Sequence, residues 1–261
     1  MSNIFPGNEF TFNEVAELYD EIRPTYVEQL YQDIFSYKRI GKQSNVLEIG
    51  IGTGQATCPI LKTGCRLTAV ELGDKLAAYV AKKFKEYENF SVCNVAFQEF
   101  EGQENSYDLI YSASAFHWIP EEIGYTKVYK LLKPGGIFAR FANHPFKDKE
   151  KEGLHIAMQK LYAEYLPMSK LSPEYTEQQA KERAETGKKY GFTDITYKLY
   201  KRTRTFTSEE YIMLLGTYSD HNALKESVRK EFFKKIKKEV DDSGGTITMY
   251  DTIDLQLSRK P

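Results

Sequence analysis

The segment Asn45-Val46-Leu47-Glu48-Ile49 is a short apolar run followed at once by Gly50, Gly52 and Gly54. Glycines directly after a strand let the backbone turn sharply and come close to a ligand. The next segment, 55–63, has a helical pattern despite Pro59. A helix there offers unpaired N–H groups at its start. Downstream the two patterns alternate. Arg66–Val70 reads as a strand ending at Glu71, and 74–87 as an amphipathic helix with Asp74 as N-cap. Phe90–Val95 and Tyr107–Ser112 read as strands. Residues 121–132 read as a helix that Lys133-Pro134-Gly135-Gly136 stops, and Ile137–Phe141 as a fifth strand. Strand and helix alternating over short connections predict a parallel sheet covered on both faces. Right-handed crossovers leave few topologies for it.

The flanks differ. Residues 1–11 read as a mobile or capping end, and 12–22 carries Val15, Leu18, Tyr19 and Ile22 at helical spacing before Pro24. A second helix is expected from Tyr26 to about Tyr37, with Leu30 and Ile34 inward. Beyond His144-Pro145, residues 147–189 are charged and helical in pattern, broken near Pro167 and Pro173. Ile195–Phe206 and Thr246–Leu257 alternate as strands do, and 208–218 and 223–240 look helical. Two late strands extend the sheet edge, one of them antiparallel. The simplest division is a single domain over 1–261: a helical cap (1–40), a ligand-binding core (41–145), a helical insert (146–190) and a C-terminal part that completes the sheet (191–261).

Composition narrows the function classes. A chain of 261 residues buries a sizeable core without disulfides or metal. With 36 Lys plus Arg against 37 Asp plus Glu, it has no global pull toward nucleic acid or an anionic membrane. Cys58, Cys65 and Cys93 have no C-x-x-C spacing, which argues against a disulfide framework and a structural zinc site. The start, MSNIFPGNEF, does not read as a signal peptide, and no apolar run approaches the ~20 residues of a membrane span. A reducing, cytoplasmic setting is the expectation.

Glu71 closes its strand 21 positions after Gly50. In an open α/β sheet that places a carboxylate beside the glycine loop, where it accepts hydrogen bonds from ribose hydroxyls. The ligand is therefore expected to contain a nucleoside. A dinucleotide fingerprint would need glycine at position 55, which is Gln55, and no Gly-Lys-Ser/Thr marks a P-loop. Glu48 before the loop disfavours a pyrophosphate and suits a cationic amino or sulfonium ligand.

At this point E-I-G-I-G-T-G (48–54) resembles the first motif of the class I S-adenosylmethionine-dependent methyltransferases. Further segments match in order. Val70-Glu71 resembles the acidic strand end that holds the ribose. Phe97-Gln98-Glu99 follows strand three, where this family contacts the adenine. Tyr107–Ile110 with Ser114-Ala115-Phe116-His117-Trp118 resembles the fourth-strand motif of the small-molecule methyltransferases. Leu131–Phe138 resembles the L-K-P-G-G turn before strand five, and Ala16-x-x-Tyr19-Asp20-x-x-Arg23-Pro24-x-Tyr26 resembles the cap helix of the group that includes the trans-aconitate methyltransferases. The resemblance covers residues 12–145. It implies a Rossmann-like three-layer sandwich with a mostly parallel seven-stranded sheet, an antiparallel late strand, a helical cap and an insert. It implies S-adenosyl-L-methionine as cofactor, held by Tyr19, Arg23, Glu48, Gly50, Gly52, Gly54, Glu71, Phe97, Gln98 and Ser112. The chain departs from the family where an Asp commonly faces the adenine. Here the stretch is Asn94–Glu99, which leaves open whether Gln98 or Glu99 reaches the adenine amino group.

Other residues keep two readings. His117, after strand four, is either a general base or a histidine satisfied by its turn. Tyr19 and Arg23 share a helical face, as a cofactor cover or as a surface pair. His144, Tyr218 and His221 are candidates for the substrate pocket; in 216–221 the competing role is helix capping. The basic run 225–240 is either a solvated face or an RNA contact. No His and Cys spacing indicates a metal. After strand four, Ser112-Ala113-Ser114-Ala115 lacks the Asn/Asp-Pro-Pro-aromatic signature of the methyltransferases that act on amide nitrogens of nucleic acid and protein. The expectation is methyl transfer to a small-molecule acceptor, on oxygen, by in-line displacement. The expected assembly is a monomer or homodimer without membrane or nucleic acid. The alternative is a tRNA- or RNA-modifying methyltransferase that uses the 225–240 helix. An NAD-dependent oxidoreductase is disfavoured by Gln55, and a non-catalytic nucleoside-binding protein is the remaining reading.

Overall fold

Five strands follow the pattern of the sequence: β1 (Asn45–Ile49), β2 (Arg66–Glu71), β3 (Phe90–Asn94), β4 (Tyr107–Ala113) and β5 (Leu132–Lys147). Two late ones complete the sheet, β6 (Thr193–Thr207) and β7 (Thr246–Arg259). The computed structural model describes residues 16–147, 151–167 and 173–261. The expected capping end (1–11), the start of the 12–22 helix with Val15, and parts of the 146–190 insert lie outside these residues.

β1 pairs in parallel with β2 and β4, β2 with β3, and β4 with β5. The strand order is β3-β2-β1-β4-β5-β7-β6. Val46, Leu47 and Ile49 are buried on both faces of the sheet, as a continuous apolar run requires in a covered parallel sheet. β7 runs against β5: Gly135 N–H donates to the Lys260 carbonyl and Lys260 N–H to the Gly136 carbonyl, while Ala142 N–H donates to the Asp254 carboxylate. The order of parallel strands reverses between β1 and β4. Ligands of open α/β sheets bind in the crevice beyond the carboxyl ends of such strands.

Ten helices accompany the sheet among the described residues: α1 (Ala16–Ile22), α2 (Glu28–Tyr37), α3 (Thr57–Leu61), α4 (Asp74–Lys83), α5 (Glu121–Leu131), α6 (Glu152–Tyr165), α7 (Glu177–Glu185), α8 (Ser208–Leu215), α9 (Ser219–Asn222) and α10 (Glu226–Asp242). Three details differ from the sequence pattern, each for a local reason. Asp74 is the first helical residue of α4 and Gly73 occupies the N-cap. The expected 208–218 helix stops at Leu215, where the hydroxyl of buried Thr217 donates to the Leu214 carbonyl at 2.6 Å, and α9 begins at Ser219. Lys133-Pro134-Gly135-Gly136 ends α5 but belongs to β5, whose pairing with β4 shifts register between Tyr107 and Leu109.

The chain divides into two compact units, a larger one of residues 24–143, 176–200 and 253–261 and a smaller one of 1–23, 144–175 and 201–252. The expected 1–40 cap is therefore divided. α2 belongs to the larger unit, where Leu30, Tyr31 and Ile34 join a core with Val46, Ile60 and Leu67. A second core there gathers Leu47, Ile49, Ile110, Phe116 and Phe138. The smaller unit, with α1, has its own core of Met158, Tyr162, Tyr211, Phe232, Ile236 and Val240. Phe232, Ile236 and Val240 recur at helical spacing and make the inward stripe of α10.

Candidate active site

All three loop glycines have left-handed backbone: φ is +69° at Gly50, +58° at Gly52 and +85° at Gly54. They serve different ends. A Cβ on Gly50 would fall 2.5 Å from the Ala115 Cβ, and one on Gly54 2.5 Å from the Phe84 ring. Close packing excludes side chains at both. A Cβ on Gly52 would meet nothing within 4 Å. The middle of the loop is an open cradle where a ligand can approach the backbone.

Glu71 ends β2 beside this loop, buried at 8% exposure. Its Oε2 accepts from Gly52 N–H and its Oε1 from Gly73 N–H, both at 2.9 Å. Burial pushes the carboxyl above its ordinary range, and the backbone donors hold the rise back. A carboxylate offers about four lone-pair sites. Its remaining acceptor capacity suits two neighbouring hydroxyls, so cradle and carboxylate together fit a ribose-bearing cofactor.

Glu48 lies under the loop with 1% of its surface exposed. Its Oε2 accepts from the Tyr111 hydroxyl at 2.6 Å and the Thr57 hydroxyl at 2.7 Å, tying β1 to β4 and α3. Burial, with a smaller push from Glu71, raises its pKa to about 8. Its carboxyl is engaged inside the fold by Tyr111 and Thr57, an enclosure that the sequence does not reveal. Ser112 is likewise buried, and its hydroxyl donates to the Ile49 carbonyl at 2.9 Å, stitching β4 to the strand that carries the loop.

The neighbouring turns are mixed in exposure. Phe97 is packed in the second core of the larger unit, whereas Gln98 is exposed and its carbonyl accepts from Lys127 Nζ at 2.9 Å. His117 is exposed in a 3-10 turn, Phe116–Trp118, with its ring 5.1 Å from Trp118. The sequence reading passed over Ser114. Its φ is +55°, costly for a non-glycine residue, at the carboxyl edge of β4. Its Oγ lies 2.8 Å from the Tyr26 hydroxyl and accepts from Asn143 N–H at 3.3 Å. Ser114 and Tyr26 stood in the matched motifs, but their pairing across 88 positions had no local signal.

The remaining candidates lie in the smaller unit. Arg23 donates from Nε to the Thr217 hydroxyl at 2.8 Å and from Nη2 to the Thr217 carbonyl at 2.9 Å. Its guanidinium lies 4.9 Å from the Tyr19 ring centre and 4.4 Å from that of half-buried Tyr218. His221, expected at a substrate, is 1% exposed and fully engaged. Its Nε2 meets the Tyr162 hydroxyl at 3.0 Å and its Nδ1 meets Asp220 at 2.7 Å. Rings of Tyr162, Tyr218, Phe232 and Phe233 surround it, which makes it a core histidine. His144 stacks on Tyr175 with ring centres 3.7 Å apart. Along α10, Lys230, Lys235, Lys237 and Lys238 pair with Glu226, Glu164, Asp241 and Asp242.

A family model for a methyltransferase domain matches residues 46–136, from β1 through Gly136. An uncharacterized methyltransferase of Bacillus mycoides is 31% identical over 179 residues, 61% of this chain and 83% of that one. One from Schizosaccharomyces pombe is 25% identical over 233 residues, 87% of each chain. Among solved structures, phosphoethanolamine N-methyltransferase 2 of Haemonchus contortus in complex with S-adenosyl-L-methionine shares the fold with a TM-score of 0.57 at 16% identity. That match covers 99% of this chain and 61% of the other. The matched stretch contains the cradle at Gly52 and the carboxylate of Glu71, and the chain belongs to the class I S-adenosylmethionine-dependent methyltransferases.

Proposed function

We propose that the methyl acceptor is a small molecule and that the accepting atom is oxygen. The observation that carries this is the β4 edge. Ser112–Ala115 offers no Asn/Asp-Pro-Pro-aromatic platform to clamp an amide or exocyclic amine. The paired lysines of α10 add to it, since carboxylates already neutralise much of that basic run. The bound sulfonium supplies the electrophilic methyl group and its own leaving group. The chain's part is to hold, orient and exclude water. The Gly50–Gly54 loop cradles the cofactor, Glu71 takes the ribose hydroxyls, and the exposed Gln98 meets the adenine edge. Ser112 and Glu48 act one step back by fixing β1, β4 and α3. His117, just beyond β4, takes the proton from an acceptor hydroxyl; a carboxylate acceptor would need no base.

The test uses purified protein, labelled S-adenosyl-L-methionine, and cell extract divided into a small-metabolite fraction and an RNA fraction. Label should enter a small product, and the methyl should sit on oxygen by mass and hydrolysis. Transfer confined to RNA, or a methyl found on nitrogen, overturns the proposal.

A further inference from the structure

The end of α4 grips the glycine loop at two successive residues, all within the larger unit. Lys83, the last residue of the helix, donates from Nζ to the Thr53 carbonyl at 2.9 Å. Phe84, the C-cap, is buried, and its ring fills the space where a side chain on Gly54 would stand. Thr53 is wholly buried and lies between two left-handed glycines, Gly52 at φ +58° and Gly54 at +85°. Glycine loses more conformational freedom on ordering than any other residue, so such a stretch needs anchors to keep one shape. Gly54 N–H is tied within the loop, to the Ile51 carbonyl. The other two anchors come from ionisable side chains of neighbouring elements. Glu71 on β2 takes Gly52 N–H, and Lys83 on α4 takes the Thr53 carbonyl. Charge-assisted bonds of this kind are the stronger ones. The Lys83 ammonium lies 5.6 Å from the Phe84 ring centre and 6.0 Å from that of Tyr79, at the outer reach of cation–π attraction. Lys83 is exposed, so its removal opens no cavity in the core.

We propose that Lys83 is a positioning residue for the cofactor: by holding the Thr53 carbonyl it orders the cradle at Gly52 before S-adenosyl-L-methionine arrives. Lys83 acts through the loop backbone and does not touch the cofactor. Order set in advance is not charged against binding, so the anchor shows as affinity. The proposal rests on the assignment of the glycine loop to the cofactor above.

The experiment measures S-adenosylhomocysteine affinity by calorimetry, Tm, and hydrogen exchange of the 50–54 amides on the full chain and four variants. Lys83→Met should weaken binding about fivefold and speed exchange in the loop, while Tm falls by no more than a few degrees. Lys83→Arg keeps a cationic donor and should restore part of both. Lys85→Met, a control on an exposed neighbour 70% open to solvent, should change neither. Gly52→Ala should weaken binding through the cradle itself. A folded Lys83→Met that binds as wild type does, with loop exchange unchanged, overturns the proposal. So does a loss that Lys83→Arg does not restore at all, or one that Lys85→Met reproduces, because the bond to Thr53 would not be its cause. A loss of affinity accompanied by a large fall in Tm, with exchange faster throughout the chain, overturns it as well, since the role would then be structural. If Gly52→Ala binds as wild type does, the assignment of the loop fails and takes the proposal with it. If Gly52→Ala weakens binding and Lys83→Met does not, only the proposal fails.

Discussion

Glu48 and Glu71 are both acidic and both flank the glycine loop, yet burial gives them different work. Glu48 is enclosed and accepts one hydrogen bond each from Tyr111 and Thr57; its pKa rises to about 8. The folded state therefore holds a proton that the unfolded chain releases near its ordinary value of 4.5. Between those values the folded state binds more protons, so this group's contribution to stability falls as pH rises, by up to about 1.4 kcal/mol per pH unit. Below 4.5 it is fully present, and above about 8 no further loss follows. Glu48→Gln keeps the shape and an acceptor. It should flatten this part of the pH–stability profile, as denaturant titrations from pH 5 to 9 would show; an unchanged slope would refute it. Glu71 keeps acceptor capacity beside the open backbone at Gly52. Glu71→Ala should reduce S-adenosylhomocysteine affinity about tenfold or more while near-UV circular dichroism stays native. The types and spacing of these residues were legible in the sequence. What was not legible was enclosure: Glu48, Ser112 and His221 were chosen for their chemistry, and the fold uses them inside. Ser114 was missed because its positive φ and its Tyr26 partner arise only when distant segments meet.

At the scale of elements, the loop distinguishes its glycines. Gly54→Ala forces a methyl against Phe84, in a backbone region that L-residues rarely adopt. It should lower stability by several kcal/mol, read as a fall in Tm and in expression. Gly52→Ala meets no neighbour and carries only the backbone cost, about 1 kcal/mol. Its larger effect should be on cofactor affinity, because the methyl enters the cradle. Calorimetry and melting on the pair separate the roles; equal loss of stability in both would contradict the assignment. α8 begins with a capping box, Thr207 accepting from Glu210 N–H while the Glu210 carboxylate accepts from Thr207 N–H at 2.8 Å. Thr207→Ala should cost about 1 kcal/mol, some 2–4 °C in Tm. Helix limits were less readable than strands. β1 is the segment 45–49 that the apolar run marked, whereas α3 and α4 are shorter than their patterns and end at the C-caps Lys62 and buried Phe84.

For the whole molecule, the parallel half of the sheet was legible because each strand is a local apolar run bounded by turn residues. The position of β7 between β5 and β6 was not, since no local pattern records a strand's neighbours. The division into two units was equally hidden: the smaller unit is assembled from three stretches, 1–23, 144–175 and 201–252. No helix of the described residues is long and apolar enough to cross a membrane. The glycine loop, Glu71, Phe97, Gln98 and Ser112 all lie in the larger unit, between the start of β1 and the end of β4. The most direct measurement is titration calorimetry of the cofactor-stripped protein and of its Glu71→Ala variant with S-adenosylhomocysteine, using NAD as control. Wild type should bind S-adenosylhomocysteine tightly and NAD not at all, and the variant should lose most of that affinity. Folded wild-type protein that binds NAD instead, or a variant that binds S-adenosylhomocysteine as well as wild type does, would contradict the assignment of the 48–71 segment as the cofactor site.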